Sequence, residues 1–195
     1  MALSAQAEAY RDTGLVTFSR FDSPFSADEW RELENLIPPG PAGYEYVETG
    51  DTLESTAAGV FRLLRDGNPP QIDPAAFASV VMRIIGSREK LGFYGRIIGK
   101  ERLMIRRAQI HMMLPGGHLG YHKDSDSSTE YLAAVVLQFE AATQGGDFVI
   151  YRERDEEIPV RNFSVLMTHA DLPHAVRRVE EGRRVTLAFW LAAGQ

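Results

Sequence analysis

The pattern of apolar and polar positions differs between the two halves of the chain. From Leu103 onward, apolar runs rich in β-branched and aromatic residues recur between turn signals, which is typical of strands. Strands are predicted at residues 103–114, 131–139, 147–151, 162–167 and 185–191. The breaks between them include Pro115-Gly116-Gly117 and Gly145-Gly146. This spacing predicts an antiparallel sandwich or barrel.

Residues 1–100 are predicted to be mixed and mainly helical. After a short strand at 14–18, Ser26 is a candidate N-cap and Glu29 completes a capping box. Further helices are expected at 53–65 and 74–85, with a breaker run between them. We therefore expect one domain over residues 1–195, in which residues 1–100 give helical support to a strand-rich core at 101–195.

Composition removes several classes of protein from consideration. The chain has no cysteine, which excludes disulfides, zinc–thiolate sites and thiol nucleophiles. Its formal charge of −6 argues against a nucleic-acid partner. No apolar run approaches the length of a membrane helix, and the first twenty residues lack the pattern of a signal peptide. We expect a cytoplasmic protein with no membrane partner.

The candidate chemistry lies in the second half, which contains all five histidines. His122 and Asp124 are two residues apart, so in an extended segment both side chains lie on one face. His174 could add a third ligand from a neighbouring strand. Two histidines and one carboxylate leave three positions of an octahedral ion open, which suits Fe(II). A surface His-Lys-Asp turn is the commoner origin of such a motif when it stands alone.

A second candidate is the arginine pair before the last strand, Gly182-Arg183-Arg184. An arginine in an apolar strand is costly to bury unless it meets an anion. The distal carboxylate of 2-oxoglutarate is such an anion, and a guanidinium can bind it through two hydrogen bonds.

Together these motifs resemble the 2-oxoglutarate- and Fe(II)-dependent dioxygenases, especially the prolyl-4-hydroxylase-like branch. The resemblance covers the segment from Arg107 to Trp190. In order along the chain, the matching positions are Gly116, His122, Asp124, Tyr131-Leu132, Gly145-Gly146-Asp147-Phe148, His174, Gly182, Arg184 and Trp190. The resemblance implies an α+β, mainly β fold, namely a double-stranded β-helix (jelly roll) with flanking N-terminal helices.

The resemblance also implies roles for individual residues. His122, Asp124 and His174 would hold the iron, and Arg184 would bind 2-oxoglutarate. Strand alternation favours Arg184 over Arg183, because Arg184 shares its face with Thr186 and the small Ala188.

Tyr131 and Thr186 are expected to help bind the cosubstrate, although a core aromatic is an equal alternative for Tyr131. Met113 departs from the family, which often has a tyrosine there. Gln109 and His111, on the same strand face, are candidates to replace that tyrosine or to contact the substrate.

The expected function is that of a non-haem oxidoreductase, a dioxygenase that uses Fe(II), 2-oxoglutarate and O2, with ascorbate as a candidate reductant. It would hydroxylate a small molecule (an amino acid or natural-product intermediate) or a peptidyl residue. Halogenating relatives have glycine or alanine at the position of Asp124, so the carboxylate favours hydroxylation.

Three alternatives stay open at this point. They are a cupin-like metal-binding protein or metalloenzyme that does not use 2-oxoglutarate, a nucleic-acid demethylase of the same superfamily, and a β-sandwich binding protein. Neither the substrate nor the oligomeric state follows from the sequence. His118 and the pair Arg106-Arg107 are expected to be solvated, and His169 to be a structural histidine.

Overall fold

The computed structural model describes residues 2–51 and 53–194 and shows a mainly β protein. Within this part of the chain there are five helices. They are α1 (Ala2–Thr13), α2 (Ala27–Leu36), α3 (Ala76–Ile85), α4 (Arg88–Ile98) and α5 (Asp124–Ser127). None of these helices combines the length and apolar character that a bilayer crossing demands.

Strands make up most of the remaining structure. They are β1 (Leu15–Phe18), β2 (Glu45–Thr49), β3 (Ser55–Arg65), β4 (Gln71–Ile72), β5 (Leu103–Met113), β6 (His118–His122), β7 (Ala133–Glu140), β8 (Gln144–Gly145), β9 (Phe148–Tyr151), β10 (Asp155–Ile158), β11 (Ser164–His169), β12 (His174–Val176), β13 (Val179–Glu181) and β14 (Arg184–Ala193). The five strands predicted in the second half are confirmed.

The strands form a curled antiparallel sheet in the order β1-β11-β7-β14-β5-β3-β6-β12-β9-β10. Strand β3 belongs to both layers of this curl. Its first residues pair with β6, through Thr56 opposite Leu119, and its later residues pair with β5, through Val60 opposite His111. The sheet therefore folds over along β3 and encloses a space between two layers, which confirms the predicted jelly roll.

One predicted element is wrong, because residues 53–65 do not form a helix. Their alanines, leucines and arginines favour helix as isolated residues, but Gly59 opposes it and the segment pairs with β5 as strand β3. Strand β5 needs a partner on the edge that β14 leaves free, and this tertiary pairing outweighs local propensity. With β1, β2 and β4 also present, the first hundred residues are less helical than predicted.

The helices cover the outer face of the larger layer. Trp30 of α2 and Tyr94 of α4 are fully buried in one apolar cluster with Leu187 and Phe189 of β14. Ser26 caps α2 and forms the predicted capping box with Glu29. The inner face of the same layer is left to line the space inside the curl.

Candidate active site

The ends of two adjacent short strands bring the predicted metal ligands together. His122 is the last residue of β6, His174 is the first residue of β12, and the two are direct partners in the antiparallel ladder. Asp124 directly follows Lys123 and is the first residue of the short helix α5. Backbone pairing thus fixes both imidazoles, and the turn into α5 carries the carboxylate towards them.

The three side chains form a compact group of potential ligands. The Nε2 atom of His122 lies 3.7 Å from Oδ1 of Asp124, and Nε2 of His174 lies 3.9 Å from Oδ2. All three ligand atoms lie within 4.8 Å of one another. Such spacing is that of atoms placed around a common centre rather than bonded to each other.

Backbone carbonyls fix the orientation of both imidazoles. Nδ1 of His122 lies 3.0 Å from the carbonyl oxygen of Gly120, and Nδ1 of His174 lies 2.9 Å from that of Leu172. A carbonyl only accepts, so each Nδ1 carries the proton and donates it. This leaves the Nε2 lone pair of each neutral imidazole directed at the common centre, an arrangement usual for metal-binding histidines.

Electrostatics favour an anionic carboxylate at Asp124. Burial acts against ionisation, but the two nearby imidazoles prevail, so the pKa of Asp124 lies below its ordinary value. Burial lowers the pKa of His174. Burial also acts to lower the pKa of His122, but Asp124 outweighs it and the net shift is upward. Asp124 Oδ2 is buried without a hydrogen-bond partner among the described residues, as expected of an atom that awaits a cation.

The triad lines a cavity between the two layers, which we call the inner cavity. Its walls are His111, Met113, Leu119, His122, Asp124, Ala134, Val136, Phe148, Thr168, His174, Val176, Arg184, Thr186, Ala188 and Trp190. The empty space between these walls, including the part open to solvent, is about 450 Å³. As alternation predicts, β14 contributes every second residue from Arg184 to Trp190.

Arg184 is a buried cation that forms no direct ion pair with any described residue. Its residue is 3% exposed, and no hydrogen bond or ion pair to it is formed within the described residues. Burial lowers the pKa of Arg184 to about 10, against a weaker opposing effect of Asp147. Arg183 lies on the other face, where it donates to Glu140 (2.6 Å) and to the carbonyl of Pro39. The guanidinium of Arg184 is therefore available to an anionic ligand inside the cavity.

Unsatisfied polar atoms concentrate in this one cavity. Among the described residues, six buried side-chain atoms lack a hydrogen-bond partner. Four of them belong to residues that line the inner cavity: Asp124 Oδ2, Arg184 Nε, Thr186 Oγ1 and Trp190 Nε1. Buried polar atoms are normally paired, so this concentration indicates a polar ligand that the protein is built to receive.

Tyr131, predicted either to bind the cosubstrate or to be a core aromatic, lies outside the inner cavity. Its hydroxyl donates to Asp66 at 2.8 Å, and its ring lies beside Trp190 in a small apolar cluster. Tyr131 is absent from the walls of the inner cavity. The structure therefore supports the core-aromatic alternative and not the cosubstrate-binding role, because Asp66, from the segment between β3 and β4, takes the hydroxyl.

A second pocket opens outward from the triad, and we call it the outer pocket. Its walls are Val47, Gly50, Asp51, Glu54, Thr56, Ala58, Val60, Arg62, Arg107, Gln109, His111, Met113, Leu119, His122, Asp124, Ser127 and Trp190. It shares six residues with the inner cavity, namely His111, Met113, Leu119, His122, Asp124 and Trp190. A molecule in the outer pocket would therefore lie next to the triad.

Strand β5 gives the outer pocket a ladder of polar side chains. Arg107 Nε donates to Gln109 Oε1 at 3.1 Å, and the Gln109 amide contacts Nε2 of His111. Burial, together with the charges of Arg184 and Arg107, lowers the pKa of His111 to about 3. His111 is thus neutral at physiological pH and lies where the pocket and the cavity meet.

Arg107 is a site residue that the sequence reading missed. It was expected on a solvated face, yet its side chain is 18% exposed and its guanidinium carbon lies 4.9 Å from the centre of the Trp190 ring. The sequence did contain the necessary information, because Arg107, Gln109 and His111 are alternate residues of one strand and their side chains therefore lie on one face. The remaining histidines are peripheral: His118 contacts Ser55, at 2.9 Å, and His169 accepts from the backbone of Asp171.

Comparisons with known proteins agree with this site. The family model of the 2OG-Fe(II) oxygenase superfamily matches residues 108–192, the segment that carries the triad and Arg184. The family name specifies Fe(II) and 2-oxoglutarate, the pair predicted from the sequence. A comparison with curated protein sequences found no match.

Solved structures extend the likeness to nearly the whole chain. An oxidoreductase of the 2OG-Fe(II) oxygenase family from Burkholderia pseudomallei is 25% identical with a TM-score of 0.84, over 97% of this chain and 90% of that one. A prolyl-4-hydroxylase from Pseudomonas putida is 17% identical with a TM-score of 0.69, over 99% of this chain and 100% of that one. The 2-oxoglutarate-dependent epimerase SnoN of nogalamycin biosynthesis is 14% identical with a TM-score of 0.74, over 98% of this chain and 83% of that one.

With the fold, the triad and the matched segment in agreement, residues 108–192 are similar to the 2OG-Fe(II) oxygenase superfamily of oxidoreductases, and the chain has the fold of solved members of that superfamily. It shares its fold with the prolyl hydroxylases of that superfamily.

Proposed function

We propose that the protein is an Fe(II)- and 2-oxoglutarate-dependent dioxygenase that hydroxylates a small molecule or a peptidyl residue. The observation that carries the proposal is the shared cavity: a buried His-Asp-His triad and a buried arginine that forms no ion pair with the described residues line the same space. The triad supplies ligands for a divalent ion, and the arginine supplies a site for the far end of a dicarboxylate.

In this proposal His122, Asp124 and His174 hold Fe(II), which supplies the activation of O2 coupled to decarboxylation of 2-oxoglutarate. The neutral imidazoles are held by Gly120 and Leu172 with Nε2 facing the ion. The Asp124 carboxylate balances part of the charge of the ion.

Arg184 would bind the distal carboxylate of 2-oxoglutarate, and Thr186 would donate its unsatisfied hydroxyl to the same ligand. The small side chain of Ala188 leaves room for the ligand, and the apolar side chains around it exclude water. The cavity thus orients the cosubstrate from its carboxylate end, while the triad orients it from the other.

The carboxylate at Asp124 supports hydroxylation over halogenation, because it occupies the position that halogenating relatives leave to a halide. Arg184 counts against a cupin-like protein that does not use 2-oxoglutarate, since nothing else in the described structure needs a buried cation there. The structural neighbours include an epimerase and prolyl hydroxylases, so likeness of fold leaves the oxidation outcome and the substrate open.

The test is a thermal-shift titration with Mn(II), a redox-inert substitute for Fe(II), followed by 2-oxoglutarate. We expect each addition to raise the melting temperature, because a ligand that binds only the folded state stabilises it by mass action. Aerobic Fe(II) and 2-oxoglutarate should then give succinate.

Two variants and one control make the titration specific. His174→Ala should lose both shifts, and Arg184→Ala should keep the shift with metal and lose the shift with 2-oxoglutarate. His169→Ala, a histidine outside the cavity, should behave as wild type. A wild-type protein that binds metal but shows neither a shift nor succinate with 2-oxoglutarate would contradict the proposal.

A further inference from the structure

The residues that line the outer pocket indicate which class of substrate it binds. This inference rests on the proposed function. The most distinctive group of the pocket is Arg107, a cation with an 18% exposed side chain. Gln109 accepts from Nε, Trp190 supports the face of the guanidinium, and Asp51 pairs with Nη1. Gln109 and Trp190 hold the guanidinium in one orientation at the wall of the pocket.

The acidic partner of Arg107 is more exposed than the arginine itself. The Asp51 side chain is 51% exposed and lies in the segment that joins β2 and β3. The hydrogen bonds to Gln109 and Asp51 engage two of the five N–H groups of a guanidinium. Arg107 therefore keeps N–H groups for a ligand, and a half-exposed ion pair is weak enough for a ligand carboxylate to replace it.

A second arginine strengthens the positive character of this wall. Arg62 of β3 lies opposite Gln109 in the β3–β5 ladder and also lines the pocket. Its partner Glu45 is 63% exposed, against 24% for the Arg62 side chain. At both pairs the guanidinium is the more buried member and the acid the more exposed one.

The rest of the pocket has a different chemistry. Ala58 and Val60 of β3, with Val47 of β2, present small apolar surfaces, and Met113 and Leu119 continue them towards the triad. Apart from Asp124 of the triad, the acids that line the pocket are Asp51 and Glu54, which both come from the segment between β2 and β3, whereas Arg107 and Gln109 come from β5. An anionic group therefore fits only at the β5 wall, and an apolar body fits beyond it.

We infer that the substrate is a small carboxylic acid whose carboxylate binds Arg107 and whose apolar body lies along Ala58 and Val60 towards the triad. Arg107 is the ladder partner of Trp190, and Trp190 lines both spaces. A carboxylate held at Arg107 thus fixes one end of the substrate and brings a carbon further along the molecule to the metal site. Gln109 is a positioning residue that holds the guanidinium.

The experiment measures binding of matched acid–amide pairs to protein loaded with Mn(II) and saturating 2-oxoglutarate. The probes are hexanoate and hexanamide, phenylacetate and phenylacetamide, and N-acetylproline and its amide, titrated by calorimetry. We expect at least one acid to bind wild type about tenfold or more tightly than its amide, and Arg107→Gln to remove that preference. Arg106→Gln is the matched control, since Arg106 pairs with Asp66 and Glu130 and is absent from the pocket walls.

The variant Asp51→Asn distinguishes a role of Arg107 in substrate recognition from a purely structural role of its ion pair with Asp51. If Arg107 recognises the substrate, Asp51→Asn should retain or strengthen acid binding, because it removes a competing carboxylate. If the pair only holds the segment between β2 and β3 in place, Asp51→Asn and Arg107→Gln should weaken the acid and the amide alike, and the inference is wrong.

The inference is also overturned if no acid binds wild type more tightly than its amide, or if the preference persists in Arg107→Gln. Binding of 2-oxoglutarate to the Mn(II)-loaded wild type, measured first, distinguishes the two proposals. Its absence contradicts the proposed function, whereas its presence without an acid preference contradicts only the substrate class.

Discussion

The inner cavity and the outer pocket each contain an arginine of low exposure, but the surroundings of the two arginines are opposite. Arg184 in the inner cavity is 3% exposed and has no partner among the described residues. Arg107 in the outer pocket is held by Gln109, Asp51 and the Trp190 ring. One site is electrostatically incomplete without a ligand, and the other is complete.

The two surroundings suit two kinds of ligand, one that is always the same and one that can vary. A buried, unpaired cation costs folding free energy, so it is retained where a ligand of constant charge and size compensates for it. A cation satisfied at the protein surface can exchange its partner for ligands of varied shape. We interpret the inner cavity as the cosubstrate site and the outer pocket as the site of selectivity.

The largest effect is expected at the three triad residues, two of which, His122 and Asp124, line both spaces. His122→Ala, Asp124→Ala and His174→Ala should each reduce succinate formation to background, because each removes one of three ligands. Circular dichroism should show an intact fold. His118→Ala, which changes a histidine outside the triad, is the control. Full activity in any of the three triad variants would remove that residue from the metal site.

The next effect tests the inner arginine alone. Arg184→Ala should raise the Michaelis constant for 2-oxoglutarate roughly 30- to several-thousand-fold, since loss of a buried charge-assisted contact costs on the order of 2–5 kcal/mol. Arg184→Lys should recover part of this, because an ammonium keeps the charge but loses the planar fork. Arg183→Ala, which breaks an exposed pair with Glu140, should cost less than about 1 kcal/mol. If Arg183→Ala instead gave the large rise in the Michaelis constant, Arg183 and not Arg184 would be the residue that binds 2-oxoglutarate.

The comparison also predicts opposite changes in stability. Arg184→Met should stabilise the protein free of metal and cosubstrate by about 1–4 kcal/mol, because an apolar side chain replaces an unpaired buried charge. Arg107→Met should give no such gain, since it leaves Gln109 and Asp51 without their donor. Urea unfolding followed by fluorescence measures both. Loss of stability in Arg184→Met would indicate that its guanidinium already has a partner.

The smallest effect is expected at Thr186. Thr186→Val keeps the shape and removes a hydroxyl that has no partner, so the ligand-free protein should become about 1 kcal/mol more stable. Affinity for 2-oxoglutarate should fall on the order of tenfold, by calorimetry, because one hydrogen bond to the ligand is lost. Thr17→Val, on the exposed face of β1, should change neither quantity. Unchanged cosubstrate affinity in Thr186→Val would exclude its hydroxyl from the site.

The two arginines also show what the sequence could and could not predict. In β14 the alternation is unbroken, so parity alone distinguished Arg184 from Arg183. In β5 a bulge opposite Trp190 and Leu191 shifts the register. Leu103 and Ile105 face the apolar core before it, and Ala108 and Ile110 after it. A bulge reverses which alternate positions face inward, so the pattern of Leu103 and Ile105 cannot be extended to Arg107, whereas the pattern of Gln109 and His111 can.

The other errors have a similar origin. Strand β3 contains helix-favouring residues, and only its pairing with β5 makes it extended. Strand β12 has three residues, too few for a periodic signal, yet it carries His174. The metal triad could be proposed because the order and spacing of its residues and their neighbours resemble those of a known family. The partner of Tyr131 could not be predicted, because Asp66 is 65 residues away.

Because β3 takes part in both layers of the sheet, its register determines which side chains face the outer pocket. Thr56, Ala58 and Val60 face the outer pocket, and the larger Phe61 packs outward against Phe77. Because strand side chains alternate, a shift of β3 by one residue in its pairing with β5 would exchange these two sets. Phe61 would then enter the pocket and block the approach to the triad. Such a register shift would thus alter substrate access while every residue of the inner cavity stayed the same.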